Sequence, residues 1–202
     1  LDGLDGRVAR MTGTQSAFGA ELDSLSDMVS FGVAPALVMY VFALKGLGKF
    51  GWIAAFVYCA GAALRLARFN TMLEVADKRF FQGLPSPAAA ALVAGFVWVM
   101  IEYGVDGKDV AMLAAIVTLF AGISMVTNLR FYSGKEINLR RSVPFFVVLL
   151  IVLFFILVST SPPEVLLGIF VLYGLSGYVY SLWQWGRSKS DSVRSHLPNS
   201  EK

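Results

Sequence analysis

Four aspartates near the start of the chain have spacings suited to metal binding. Asp2 and Asp5 are three positions apart and Asp23 and Asp27 are four apart, so on helices each pair lies on one face. Gly19 continues the second face one turn earlier. Carboxylates beside a membrane core are costly unless a charge compensates them. For Glu21 a solvated helix end is the simpler interpretation, whereas the spacing of the four aspartates indicates a cation site.

Small and basic residues in the same segment suit a phosphate ligand. Gly6, Ala9 and Gly19 stand where a larger side chain would block a ligand, and Arg10 supplies a cation for phosphate. Carboxylates without His or Cys favour hard divalent ions, Mg²⁺ or Mn²⁺, which proteins usually bind together with substrate phosphates. The residues by themselves therefore predict a metal-dependent phosphate site.

The elements that must position this site are apolar. The chain has 202 residues, of which 56% are hydrophobic and 15% charged, with a mean hydropathy of +0.66. This composition excludes an ordinary soluble globule. Cutting the chain at charges and at Gly/Pro turns leaves six apolar segments, namely Met28 to Leu44, Gly51 to Leu66, Pro87 to Met100, Val110 to Thr127, Pro144 to Ser159 and Val165 to Trp183.

Six transmembrane helices are the economical interpretation of these segments. Several fall short of the ~20 residues that cross ~30 Å of hydrocarbon, but each can borrow a turn from its flanks, as residues 19–27 allow for the first. Lipid requires every backbone polar group to be satisfied internally, and no segment alternates like a barrel strand. The prediction is an all-α, polytopic transmembrane bundle.

The distribution of basic residues predicts the orientation. If the spans alternate, one side holds only Lys45, Lys49 and Lys108. The side of the N-terminus holds the other fourteen, which are Arg7, Arg10, Arg65, Arg68, Lys78, Arg79, Arg130, Lys135, Arg140, Arg141, Arg187, Lys189, Arg194 and Lys202. The asymmetry predicts a multi-pass membrane protein whose acidic site faces the cytoplasm. It also explains the net charge of +3 without a nucleic-acid partner.

Two further features concern the inner loops and the C-terminus. In the loop segment 83–87, Ser86 and Pro87 are a good N-cap and first residue for the next helix. Residues 1–185 are predicted to form one membrane domain with its site motif in residues 2–27. The polar residues 186–202 lack an apolar period and are predicted to form a disordered tail.

The acidic segment resembles the CDP-alcohol phosphotransferase family. The string Asp2-x-x-Asp5-Gly6-x-x-Ala9-Arg10, eight residues, Gly19-x-x-x-Asp23-x-x-x-Asp27 matches the family signature at all eight fixed positions. The resemblance implies an integral membrane enzyme that transfers a phosphatidyl or similar group from a CDP-linked lipid to an alcohol and releases CMP. It implies that Asp2, Asp5, Asp23 and Asp27 bind two divalent ions and that Asp27 is also the general base. It further implies that Gly6, Ala9, Arg10 and Gly19 line the CDP pocket, and a homodimer would be consistent with the family.

Strings outside this signature bear on the acceptor alcohol. Residues 28–36, 65–70 and 81–90 resemble the phosphatidylserine synthase branch of the family, which implies CDP-diacylglycerol and L-serine as substrates. Arg65, Arg68 and Asn70 fall at the cytoplasmic end of the second span. An arginine there suits the acceptor carboxylate or the lipid phosphate. The alternative is that both arginines are anchors that reach lipid headgroups.

Two rival functions are compatible with these residues. The same chemistry with glycerol 3-phosphate or an inositol phosphate as acceptor is the close rival, and a cation transporter is the remote one.

Family members have a membrane helix leading into the first aspartate and at least one helix before it, whereas Asp2 is the second residue here. We therefore expect a truncated N-terminus, with about 40 to 60 further residues and two further spans, eight in all, in the natural protein.

Overall fold

The computed structural model describes residues 16–72, 80–132 and 145–194. Helices form nearly all of this part of the chain. They are α1 (Ala17–Asp27), a π-helical turn (Met28–Val33), α2 (Ala34–Phe42), a 3-10 turn (Leu44–Leu47), α3 (Lys49–Met72), α4 (Ser86–Glu102), α5 (Ala111–Val126), α6 (Phe145–Thr160) and α7 (Pro162–Arg194). The predicted all-α class is confirmed, and each of the six apolar segments is mainly helical where the structure describes it.

Within the described residues, three stretches are long and apolar enough to cross a membrane. They are Glu21–Phe42, which joins α1, the π-turn and α2, together with Lys49–Thr71 and Pro162–Ser181. The helices α4, α5 and α6 are apolar but shorter, with 17, 16 and 16 residues. At 1.5 Å per residue they span about 25 Å, slightly less than the hydrocarbon core. The structure is that of an α-helical membrane protein, and six spans remain a prediction.

Helix α3 lies at the centre of the bundle. It packs most extensively on α5, where Gly61 and Gly122 bring the two backbones together. A Cβ atom on Gly61 would lie 2.5 Å from the Gly122 carbonyl oxygen. Small residues of this kind let membrane helices approach closely and gain dispersion contacts that lipid cannot supply. The largest fully buried side chain of the core, Tyr58, belongs to the same helix.

A two-stranded antiparallel ribbon joins the connection after α3 to the connection after α5, both of which were predicted as loops. Strand β1 (Phe80–Gln82) pairs with β2 (Arg130–Tyr132), with Phe81 opposite Phe131. Gly83 follows β1 with a φ of +76°, a conformation that glycine adopts without strain. Its N–H donates to the Leu129 carbonyl at 2.9 Å, and the Leu84 N–H donates to the Ser124 carbonyl at 2.9 Å. The ribbon therefore fixes the start of α4 against the end of α5.

The C-terminal helices are packed less tightly. Helix α6 has no buried residue and lies against α7, which itself packs on α4. Helix α7 continues to Arg194, so residues 186–194, predicted as the start of a disordered tail, extend a helix. Residues 195–202 lie outside the described residues, and the assignment of 1–185 to one membrane domain stays a prediction.

Candidate active site

The aspartates of α1 lie one turn apart at the entry to the bundle. Ser16 caps the helix, because its Oγ accepts a hydrogen bond of 3.0 Å from the Gly19 N–H. Asp23 is exposed and Asp27 is half-buried. A Cβ atom on Gly19 would lie 3.2 Å from Ser16 Oγ. Gly19 is exposed and lies on the same face of α1 as the two aspartates.

Arg65 of α3 lies near Asp27. Its Nη1 donates to Ser86 Oγ at 2.5 Å. Asp27 and Tyr173 lie close enough to interact electrostatically with the guanidinium. The Nε atom is buried and has no hydrogen-bond partner within the described ranges. Since a guanidinium presents five donors, Arg65 keeps the capacity to bind an anionic group beside Asp27.

The two other residues predicted at the end of α3 have different partners. Asn70 Nδ2 donates to Ser24 Oγ at 2.9 Å, between the two aspartates of α1. Arg68 Nη1 donates to Asn128 Oδ1 at 3.1 Å and, more weakly, to the Thr127 carbonyl at 3.4 Å. Asn70 therefore joins α3 to the motif helix, whereas Arg68 joins α3 to the end of α5. Arg65 interacts electrostatically with Asp27, and Asn70 bonds the serine one turn before it.

Ser86 was predicted as the N-cap of α4, and this prediction is wrong. Pro85 is the capping residue, with φ −57° and ψ 137°, and its carbonyl accepts the first helical bond from the Ala89 N–H at 2.9 Å. Ser86 lies inside the helix and is fully buried. Its hydroxyl accepts from Arg65 rather than from its own backbone. Ser86 is therefore the hydrogen-bond partner of Arg65. The sequence did not reveal this role, because the same serine also fits a capping pattern.

Tyr173 of α7 is a site residue that the sequence analysis missed. Its ring lies 5.8 Å from the ring of Phe131, measured between centroids, and Phe131 is fully buried. Phe131 also packs against Gly177, one turn further along α7, where a Cβ atom would clash with its ring. The ribbon thus fixes α7 and, through it, the tyrosine beside Arg65. An apolar helix far away in sequence gave no sign of this contact.

The described residues contribute part of the predicted metal site. Within 16–72, 80–132 and 145–194 no group of three or more His, Cys, Asp or Glu side chains is arranged to hold a metal ion. Asp23 and Asp27 provide two of the four predicted ligands, and their oxygens are of the type that Mg²⁺ or Mn²⁺ binds. The other predicted ligands, Asp2 and Asp5, lie outside the described residues, as do Gly6, Ala9 and Arg10.

Comparisons with known proteins show which family the chain resembles. The family model described as CDP-alcohol phosphatidyltransferase matches residues 1–121. A protein of Helicobacter pylori strain J99 is 37% identical over 181 residues, which cover 89% of this chain and 76% of that protein. It is named CDP-diacylglycerol--serine O-phosphatidyltransferase. Proteins with the same name from Mycobacterium leprae and Methanocaldococcus jannaschii are 46% identical over 109 residues and 41% identical over 131 residues. Those alignments cover 52% and 65% of this chain, and 36% and 58% of the respective proteins.

Proposed function

The chain belongs to the CDP-alcohol phosphatidyltransferase family, and on that premise we propose that it transfers the phosphatidyl group of CDP-diacylglycerol to the hydroxyl of L-serine. The products are phosphatidylserine and CMP. The observation that carries this proposal is the similarity along 89% of the chain to a protein named CDP-diacylglycerol--serine O-phosphatidyltransferase. The apolar helices support a lipid substrate, because they place the protein in the bilayer. The acyl chains of the substrate stay in that bilayer while its headgroup reacts at the membrane surface.

Asp27 acts as the general base in the proposed reaction. The serine hydroxyl oxygen attacks the phosphorus that carries the lipid, and its proton passes to the Asp27 carboxylate. A new P–O bond forms to serine while the bond from phosphorus to the CMP oxygen breaks, and CMP leaves. A hydroxyl near neutral pH is a weak nucleophile, so a carboxylate beside it accelerates the attack. The half-buried position of Asp27 beside Arg65 supports this role.

Arg65 binds the carboxylate of serine. Its unpartnered Nε and its remaining Nη donors suit a planar carboxylate, which an arginine can bind with two parallel hydrogen bonds. Ser86 holds Nη1 and so restricts the rotation of the guanidinium. Asn70 acts on the shape of the acceptor pocket by holding Ser24, whereas Arg68 holds the end of α5 and does not act on serine.

We further propose that Asp2, Asp5, Asp23 and Asp27 hold two divalent ions, Mg²⁺ or Mn²⁺. Such ions, when bound, neutralise charge on the pyrophosphate and on the departing CMP. Gly6, Ala9, Arg10 and Gly19 line the CDP pocket in this arrangement. Exposure of Gly19 and Asp23 on the same face of α1 supports the part of it that falls within the described residues.

The active site faces the cytoplasm in this proposal, because the end of the bundle that holds it carries most of the basic residues. The bonds from α3 to α1, α4 and α5 support the assignment of these chain segments to one side. Membrane lipids and a second copy of the chain are its proposed partners.

Product analysis tests the function. The purified protein in lipid nanodiscs is incubated with CDP-diacylglycerol, a divalent ion and one of three acceptors: serine, glycerol 3-phosphate or inositol 1-phosphate. We expect CMP and phosphatidylserine to form only with serine, and to disappear when the ion is chelated. Product from a phosphorylated acceptor alone would overturn the choice of serine. Cation uptake by the same protein in sealed lipid vesicles, without CMP release, would indicate a cation transporter.

A further inference from the structure

The helix that carries the aspartates changes its winding directly after Asp27. Met28–Val33 forms a π-helical turn, and the Ala34 N–H bonds to the Val29 carbonyl, five residues back rather than four. Such a turn absorbs one more residue than an α-helical turn and is frequently found at functional sites. The π-turn lies between α1 and α2. It therefore sets the angle, about the helix axis, between the acidic face of α1 and the buried face of α2.

The rotation can be worked out from helix geometry. In an uninterrupted α-helix, at ~100° per residue, the step from Asp27 to Met39 leaves the two side chains about 120° apart. One residue absorbed by the π-turn reduces this angle to about 20°. Met39 is fully buried and shares its face with the buried Ala36 and Ala43. The π-turn therefore turns Asp27 toward the interior, where Arg65 lies.

Pro35 provides the cause of the π-turn. A proline inside a helix has no N–H to offer, and its ring collides with the carbonyl four residues earlier. That carbonyl belongs to Phe31, in the middle of the π-turn. Widening the turn relieves the collision, but the Phe31 carbonyl still lacks the donor that residue 35 would normally supply.

Tyr58 of α3 supplies the missing donor. Its hydroxyl donates to the Phe31 carbonyl at 2.9 Å, and its side chain is fully buried. One turn further along α3, Ala62 meets Gly32 so closely that a Cβ atom on Gly32 would lie 3.1 Å from the Ala62 Cβ. A buried carbonyl without a partner is costly, so the tyrosine hydroxyl stabilises this winding over others.

We propose that Tyr58 is a positioning residue for phosphatidyl transfer: its hydroxyl stabilises the π-turn that Pro35 imposes and so fixes the rotation of Asp27 toward Arg65. The inference rests on the proposed function for its kinetic consequence but not for its geometry. Three contacts of α3 act together here, because Tyr58 holds the π-turn, Arg65 faces Asp27, and Asn70 bonds Ser24.

Kinetics of Tyr58→Phe test the proposal against a matched control. Tyr178→Phe removes a hydroxyl from the pair that Tyr178 forms with Ser124 Oγ at 2.7 Å, between α7 and α5. We expect kcat for CMP release to fall roughly 10- to 100-fold in Tyr58→Phe with an unchanged KM for CDP-diacylglycerol, because Asp27 is misplaced rather than lost. Tyr178→Phe should keep the kcat of the unaltered protein. Equal kcat values in the two variants would overturn the proposal.

Pro35→Ala provides a second, internal test. Alanine restores an N–H for the Phe31 carbonyl, so removal of the Tyr58 hydroxyl should then change kcat less than twofold relative to Pro35→Ala alone. If the effects of Tyr58→Phe and Pro35→Ala on kcat simply multiply, the two residues do not act through one carbonyl and the proposal fails.

Cross-linking separates the positioning role from the reaction itself. Cysteines replace Ser24 and Asn70, which are hydrogen-bonded, in a Cys59→Ala background. We expect disulfide formation between them to slow at least threefold when Tyr58→Phe is added and to stay unchanged with Tyr178→Phe. Slower cross-linking, combined with no CMP release by the protein without these substitutions, would support the positioning role and reject the proposed function. An unchanged rate would reject the positioning role.

Discussion

Helices α3 and α6 are both apolar, yet the bundle uses them in opposite ways. Helix α3 is rich in small residues, has fully buried side chains such as Tyr58, and contacts α1, α2, α4 and α5. Helix α6 consists mostly of Phe, Leu, Ile and Val, carries no charge, and has no buried residue. The more hydrophobic helix is therefore the more exposed one.

The difference follows from the solvent. Lipid chains are as apolar as leucine, so burial against another helix brings little hydrophobic gain inside a bilayer. Association depends instead on close backbone approach and on polar links, and α3 has both. Gly61 approaches the backbone of α5, and Arg65, Arg68 and Asn70 donate hydrogen bonds to three different segments. Substitutions in α3 should thus affect function and stability, whereas those in α6 should affect neither.

The largest expected effect is at the carboxylate that α3 faces. In Asp27→Asn, CMP release should fall by at least ~100-fold, because the general base is lost, while CDP-diacylglycerol still binds. Steady-state CMP release and an equilibrium binding assay measure the two quantities. Glu21→Gln, an exposed acid on the same helix, is the control and should leave both unchanged. Activity of Asp27→Asn equal to that of the control would remove Asp27 from the reaction.

A smaller effect is expected when the guanidinium of α3 is removed. Arg65→Ala should raise KM for serine roughly 10- to 100-fold, as expected for the loss of a charge-assisted pair, with little change in KM for CDP-diacylglycerol. Arg68→Ala is the control, since its partners are Asn128 and Thr127. It should lower Tm without changing KM for serine. An unchanged KM in Arg65→Ala would make Arg65 a membrane anchor.

Removal of the Ser86 hydroxyl, the partner of the Arg65 guanidinium, should change KM for serine less than removal of Arg65 itself. Ser86→Ala leaves Arg65 in place but removes the acceptor of its Nη1, so the guanidinium is less well oriented. We expect KM for serine to rise about threefold to tenfold, which corresponds to one hydrogen bond of about 1 kcal/mol. Ser159→Ala in α6 loses only a bond to the Phe155 carbonyl of its own helix and should not change KM. Identical kinetics of both variants would show that Ser86 does not orient Arg65.

The smallest effect separates the two helices by stability alone. Leu66 of α3 is 8% exposed and Leu150 of α6 is 47% exposed. Leu66→Ala leaves a cavity and should lower the free energy of unfolding by about 2 kcal/mol, whereas Leu150→Ala should change it by less than ~0.5 kcal/mol. Thermal unfolding in the same lipid compares them. A Leu150→Ala loss as large as that of Leu66→Ala would mean that α6 is packed against another protein surface.

Apolar length predicted the helices well. The segments predicted from Val110 to Thr127 and from Pro144 to Ser159 match α5 and α6 to within one residue at each end. Prediction was weaker where a residue has two competing partners. Ser86 fits a capping pattern, but the buried Arg65 requires an acceptor, and that requirement prevailed because an unpaired buried guanidinium costs more than an uncapped helix end.

The ribbon and the π-turn could not be predicted from local patterns. Three residues such as Phe80–Gln82 form a strand only when a second segment, distant in sequence, supplies its hydrogen bonds. The π-turn carries a local signal in Pro35, but its stability depends on a hydroxyl from α3. Helix α7 is also longer than its apolar segment predicted, because it continues past Trp185 through polar residues to Arg194.

The sequence by itself determined the kind of protein and the family to which it belongs. Spaced carboxylates specify oxygen donor atoms, and apolar length specifies a lipid solvent, because both properties belong to residues and their spacing. Only the tertiary structure decided that Arg65 lies near Asp27, that Ser86 and Tyr173 are its other neighbours, and that Tyr58 bonds the π-turn. The physical reason is that orientation inside a bundle depends on the helices packed around a residue, and no single segment contains that information.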